Sequence, residues 1–102
     1  MKRSDIHSQA ILELDEAVAY YELERIGLGL ELLDEFSSVF LRVRQYPRAF
    51  PVFENSLVRY GLVRRFPYVV YFREFENYIW IVAVSHARRR PGYWKKRQPE
   101  DR

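Results

Sequence analysis

The chain has no cysteine, which excludes disulfides and thiolate-held metals. It has only two histidines, His7 and His86, and no acidic residues at a ligand spacing around them, so neither a metal nor another cofactor is expected. Four glycines with no glycine-rich run leave no phosphate-cradling loop. No serine–histidine–acid pattern is present either. No apolar run reaches the ~18 residues of a membrane-spanning helix. Asp5, Glu13, Asp15 and Glu16 interrupt the first apolar residues, so no secretory leader is expected. Nothing repeats and no segment is low in complexity. What remains is a soluble, cytoplasmic, single domain with room for one modest core.

Two things are present in quantity. Aromatic residues make up 17% of the chain, and charged residues 30%. The charge is divided along the sequence. Residues 1–58 hold six Lys/Arg against ten Asp/Glu, a net of −4, and residues 59–102 hold eleven against four, a net of +7. A C-terminal half of that sign suits a polyanion or an acidic partner peptide.

From Ser8, apolar residues recur at Ile11, Leu14, Val18 and Tyr21, which is the spacing of an amphipathic helix with Ser8 as its N-cap. Glu13, Asp15, Glu16 and Glu22 fall mainly on the opposite face and read as solvated surface. Gly27-Leu28-Gly29 reads as the turn into a second helix over 30–46, with Leu33, Phe36, Phe40 and Val43 as its stripe and Pro47 as its stop. Residues 48–56 read as a loop anchored by Phe50 and Phe53. Alternation resumes over 58–63, and two apolar, β-branched and aromatic runs follow at 68–73 and 78–85, separated by the polar break 74–77. Met1-Lys2-Arg3-Ser4-Asp5 is a poor strand by composition, so any first strand there would be short or frayed. The run 78–85 is apolar at both parities, with Ile79, Ile81 and Ala83 on one side and Trp80, Val82 and Val84 on the other. Such a strand is central and covered on both faces. The expected fold is α+β: an N-terminal helical hairpin on a mainly antiparallel sheet of three good strands and a weak fourth. The domain spans 1–94, and 95–102 reads as a charged tail without fixed structure.

Directly beyond the central strand come Ser85-His86-Ala87-Arg88-Arg89-Arg90-Pro91-Gly92-Tyr93-Trp94. Here a titratable ring, three guanidiniums and two large aromatics stand at a strand end, where a rigid sheet presents functional groups to solvent. Three adjacent guanidiniums are costly to group without an anion to meet. Trp94 and Tyr93 have a structural alternative, in which they fold back and close the end of the sheet.

The order FPY-VVYF, then an apolar strand ending AVSH, then R-R-P-G-Y-W, resembles the RelE/ParE toxin superfamily, most closely its plasmid-stabilisation (ParE-like) branch. The front of the chain, HSQAILELDEAVAYYE followed by GLG and a helix ending near RQYPRAFP, agrees in register. The resemblance implies the toxin of a type II toxin–antitoxin pair, bound and neutralised by a cognate antitoxin. In the ParE branch the implied target is DNA gyrase, met by Arg88, Arg89, Arg90, Tyr93 and Trp94 without chemistry. In the RelE branch the implied activity is ribosome-dependent mRNA cleavage. Tyr93 stands at the position of that branch's C-terminal tyrosine and His86 at that of a basic residue, but Tyr68 occupies the place of its strand arginine. Arg64 and Arg65 are candidate contacts for a polyanion or the antitoxin. A non-toxic homologue that acts only as a binding module is the third reading.

Overall fold

The structure, a computed structural model, describes residues 1–100. Its first strand, β1 (Arg3–Ile6), leads through His7 into helix α1 (Ser8–Glu24). The cap is His7 and not Ser8: the His7 Nδ1 accepts from the backbone N–H of Gln9 at 3.1 Å, satisfying one of the free donors at the helix start. Helix α2 (Leu28–Gln45) then returns antiparallel to α1, and Pro47 stops it by opening a single 3₁₀ turn.

The glycines between the helices have different uses. Gly27 takes φ +90 and makes the turn, whereas Gly29 already lies inside α2. A Cβ on Gly29 would stand 2.7 Å from the Val18 carbonyl oxygen, so its bareness lets the two helices approach closely. The buried stripe of α2 is Leu32, Phe36, Val39 and Val43. This corrects the expected stripe by a rotation: Leu33 is outside, Phe40 is half-buried, and Leu32 and Val39 take the inward positions. The spacing 32, 36, 39, 43 follows the helical repeat as well as the alternative did, and only the sheet beneath decides between them.

Strands β2 (Val58–Leu62), β3 (Tyr68–Glu74) and β4 (Tyr78–His86) form an antiparallel meander, and β1 joins β4 in parallel, giving the order β1-β4-β3-β2. Strand β4 is therefore central, as its two-sided apolar pattern implies. One face packs on the helical hairpin through Val70, Phe72, Ile79, Ile81 and Val84. The other carries Tyr71, Trp80, Val82, Ala83 and Trp94, with Phe53, Val58 and Tyr60 at its margin. Simple alternation misplaces two of these residues. Tyr71 pairs with Ala83 but Phe72 with Ile81, so Val82 is the extra residue of a bulge. Beyond it the parity flips, which turns Ala83 away from the helices and Val84 towards them.

Strand β1 pairs with β4 only as far as Ile81, where His7 N–H also donates to the Ile81 carbonyl at 3.0 Å. From Val82 to His86 that edge of β4 has no neighbouring strand among the described residues.

Candidate functional site

The open edge of β4 is closed by side chains. Arg97 Nη1 donates to the Val82 carbonyl at 2.9 Å, and Val84 N–H donates to Glu13 Oε1 at 3.0 Å. Arg97 and Glu13 also pair with each other, at 2.9 Å and 3.1 Å through the two guanidinium nitrogens. A bidentate ion pair thus supplies one donor and one acceptor where a fifth strand would have supplied backbone groups.

Glu13 holds more than this edge. Its Oε2 accepts from the Tyr93 hydroxyl at 2.6 Å and from Arg89 Nη1 at 3.3 Å. Its side chain is only 12% exposed. Burial alone would raise the carboxyl's pKa, but the bonds from Arg97, Tyr93 and Val84 outweigh it and hold the value below the ordinary 4.5. Tyr93 is affected in the opposite direction: burial first, and then the bond to Glu13, push its phenol up to about 12. The Arg89 guanidinium stacks over the Tyr93 ring at 3.5 Å from the centroid. Reading Glu13 as solvated helix surface is therefore wrong. Its partners lie more than seventy residues further along the chain, and no local pattern announces them.

The remaining candidates cluster around this clamp. His86 ends β4 opposite Tyr68, the first residue of β3, and their rings meet edge to face at 5.3 Å. The His86 Nδ1 accepts from the Arg88 backbone N–H at 3.1 Å, while Arg89 N–H donates to the His86 carbonyl at 3.0 Å. The loop after β4 is tied to the β2–β3 turn by Ala87 N–H donating to the Pro67 carbonyl at 2.7 Å. Arg64–Arg65 and Arg88–Arg90 accordingly stand on neighbouring loops at one end of the sheet. A cleft of about 340 Å³ between α1 and this sheet end is lined by Glu13, Glu16, Tyr68, Val84, His86 and Arg89.

The five arginines are not equivalent. Arg89 pairs with Glu13 and lies over the Tyr93 ring. Arg65, held at φ +70, pairs with Glu31 at 2.8 Å and reaches Glu35 at 3.8 Å, so α2 already holds it. Arg64, Arg88 and Arg90 are exposed, and their guanidiniums have no carboxylate partner among the described residues. Arg89 and Arg65 also stay about half exposed, at 53% and 54%, but unlike the other three they are paired. Each has an internal carboxylate at hydrogen-bond distance.

Trp94 takes the structural alternative that the sequence offered. It is 3% exposed and packs on Tyr71 and Phe53 at centroid distances of 4.8 and 5.2 Å, so it closes the second face of the sheet and offers no surface to a target. The segment after it is likewise placed against the protein. Arg97 is fixed as described, and Glu100 accepts from both the backbone N–H and the hydroxyl of Ser8. The segment expected as a tail over 95–102 thus has partners on α1 and β4 at Arg97 and Glu100, and positions 101 and 102 lie outside the described residues. Among the described residues no group of three or more His, Asp or Glu stands close enough to hold a metal, and no helix is long and apolar enough to cross a membrane.

No protein-family model and no curated protein matches the chain. Among solved structures it is similar to a chain of the chromosomal ParDE TA system from P. aeruginosa. The TM-score is 0.72 at 20% identity, over 84% of this chain and 96% of that one. The chain therefore has the RelE/ParE-like α+β fold, and its architecture is ParE-like over most of its length.

Proposed function

We propose that this chain is the toxin of a type II toxin–antitoxin pair, acts in the cytoplasm by binding and inhibiting DNA gyrase, and is neutralised by a cognate antitoxin. The observation that carries this reading is the trio Arg64, Arg88 and Arg90: three exposed guanidiniums without a carboxylate partner among the described residues, on two loops tied together at one end of a rigid sheet. Arginine so placed is suited to anchoring an interface, where it contributes charge and a planar stacking surface together. The fold supports the same assignment, and the basic C-terminal half suits an antitoxin segment rich in acidic residues.

The state of Tyr93 favours binding over mRNA cleavage on the ribosome. A phenol pushed to about 12, with its proton committed to Glu13, is a poor acid and a poor base near neutral pH. Tyr68 adds no charge where the ribonuclease branch would carry a strand arginine.

The experiment is pulse labelling after induced expression without antitoxin, following DNA and protein synthesis over the first minutes. Early loss of DNA synthesis, abolished by Arg88→Glu with Arg90→Glu, is the expected result. Early loss of protein synthesis instead would establish the ribonuclease reading and return attention to His86 and Tyr93. Unimpaired growth with both syntheses intact would leave the chain a binding module in that host.

A further inference from the structure

Arg88 and Arg90 stand on a loop with no regular structure of its own, and Arg89 between them is the one that pairs with a carboxylate among the described residues. Both ends of that loop converge on one atom. Arg89, at its start, and Tyr93, at its close, bond Glu13 Oε2 at 3.3 and 2.6 Å, and Arg97 beyond them grips both carboxylate oxygens. Glu13 itself is anchored on α1 and by the β4 backbone at Val84. A single helix-borne carboxylate therefore ties helix, central strand and loop together. We propose that Glu13 is the positioning residue of the arginine loop, fixing the directions in which Arg88 and Arg90 leave the protein. The inference rests on the proposed target-binding role of those two arginines, and Glu13 touches no target itself.

Charge and geometry make opposite demands on this position, which is what makes the idea testable. Glu13→Gln removes one negative charge and releases Arg89 and Arg97. If the arginine loop acts merely as a cloud of positive charge, polyanion binding and target inhibition should both strengthen. If the loop must be pre-shaped, polyanion binding should strengthen while inhibition weakens. The long arginine side chains would then have to be ordered at the moment of binding.

Glu16 supplies the control. It lines the same cleft and is exposed, with no hydrogen bond or ion pair among the described residues, so Glu16→Gln makes the same charge change without touching the clamp.

The measurement compares wild type, Glu13→Gln, Glu16→Gln and Arg97→Lys in three assays: gyrase supercoiling, salt needed for elution from heparin, and amide hydrogen exchange over residues 87–97. Both glutamine variants should elute at higher salt than wild type. Only Glu13→Gln should exchange faster over 87–97 and inhibit supercoiling roughly tenfold less well, the cost of re-ordering one or two long side chains. Arg97→Lys keeps the charge but loses the two-pronged grip, and should fall between wild type and Glu13→Gln in both exchange and inhibition. This variant serves if Glu13→Gln does not fold. Equal inhibition by Glu13→Gln and Glu16→Gln, or wild-type behaviour of Arg97→Lys, overturns the proposal. A wild-type protein that does not inhibit supercoiling overturns the functional reading instead, and the exchange over 87–97 then decides on the clamp alone.

Discussion

The two faces of β4 are equally buried and differently made. On one, Ile79, Ile81 and Val84 meet a helical hairpin whose residues Leu32, Phe36, Val39 and Val43 are buried from one end of α2 to the other. On the other, Trp80, Val82 and Ala83 are covered by single anchors brought in on irregular chain: Phe53 from the loop before β2 and Trp94 from the segment after β4. The first face is a packed layer. The second is covered by two aromatic side chains, with the Arg97–Glu13 pair along the open edge of β4, and the segment that brings in Trp94 and Arg97 follows directly on the arginine loop. The helix side is the larger packed layer, and the loop beyond β4 is held jointly, by Glu13 from α1 and by Arg97 from the segment that covers the far side.

Core substitutions should separate the two faces most strongly. Phe72, fully buried against the hairpin and edge to face with Phe50 at 5.4 Å, should cost about 3–5 kcal/mol when changed to Ala, because its surroundings cannot close the cavity. Trp94→Ala should cost less, about 3 kcal/mol or below, although the residue is larger. The segment carrying Trp94 can settle into the gap, and the indole Nε1, buried without a hydrogen-bond partner among the described residues, already offsets part of the gain from burial. Urea denaturation measures both. Equal losses would mean that the second face is as integral to the fold as the first.

The clamp comes next in size. Glu13→Gln leaves Arg97 beside a neutral amide and should lower stability by roughly 1–3 kcal/mol at neutral pH, against less than about 0.5 kcal/mol for the exposed Glu16→Gln. The pH dependence has a definite sign. Glu13 is held below its ordinary 4.5, so its contribution is complete above that value and is lost as the pH falls through the lower folded value. The stability difference between wild type and Glu13→Gln should therefore be constant near neutrality and shrink in acid. A difference that grows in acid would show that the carboxylate is not the stabilising form.

Tyr93 reports the same clamp from the alkaline side. Its phenol is pushed up to about 12, so an unfolded chain ionises this group first. Its contribution is complete below the ordinary value of 10 and disappears as the pH rises towards 12. Subtracting the ultraviolet titration of Tyr93→Phe from that of wild type should reveal one phenol titrating near 12. In Glu13→Gln, which removes the charge beside it, the same phenol should titrate earlier. An unchanged titration would put burial alone in control.

How much of this was legible in the sequence follows the range of the interactions. Local signals were dependable: helical spacing after Ser8, the stop at Pro47, and the two-sided apolar run that placed β4 at the centre. Where two local solutions were nearly equal, the sequence did not choose. Leu32 or Leu33 for the α2 stripe is such a case, as is strict alternation or a bulge at Val82, and in both the packing of another element decides. Glu13 was invisible for a stronger reason. A glutamate on a polar helix face looks like surface unless Tyr93 and Arg97 are known to arrive beside it, and the fold brings them there from the other end of the chain. The same holds for Arg65, which reads as one of a basic pair until Glu31 is seen across from it.

The smallest expected effect on stability separates the arginines themselves. Arg88→Glu and Arg90→Glu remove exposed side chains with no internal partner among the described residues, so each should change stability by less than about 0.5 kcal/mol. Arg89→Glu sets a second carboxylate against Glu13 and should be the costly member of the triplet, by roughly 1 kcal/mol or more. Thermal melts of the three single variants test this order. On the proposed function the order of activity loss differs from the order of stability loss. Arg88→Glu and Arg90→Glu should abolish inhibition of DNA synthesis in a protein as stable as wild type, whereas Arg89→Glu should lose it along with stability, through the loop it anchors. If all three variants were equally stable and equally inactive, Arg89 would be an outward contact after all. Its bond to Glu13 would then add nothing to stability.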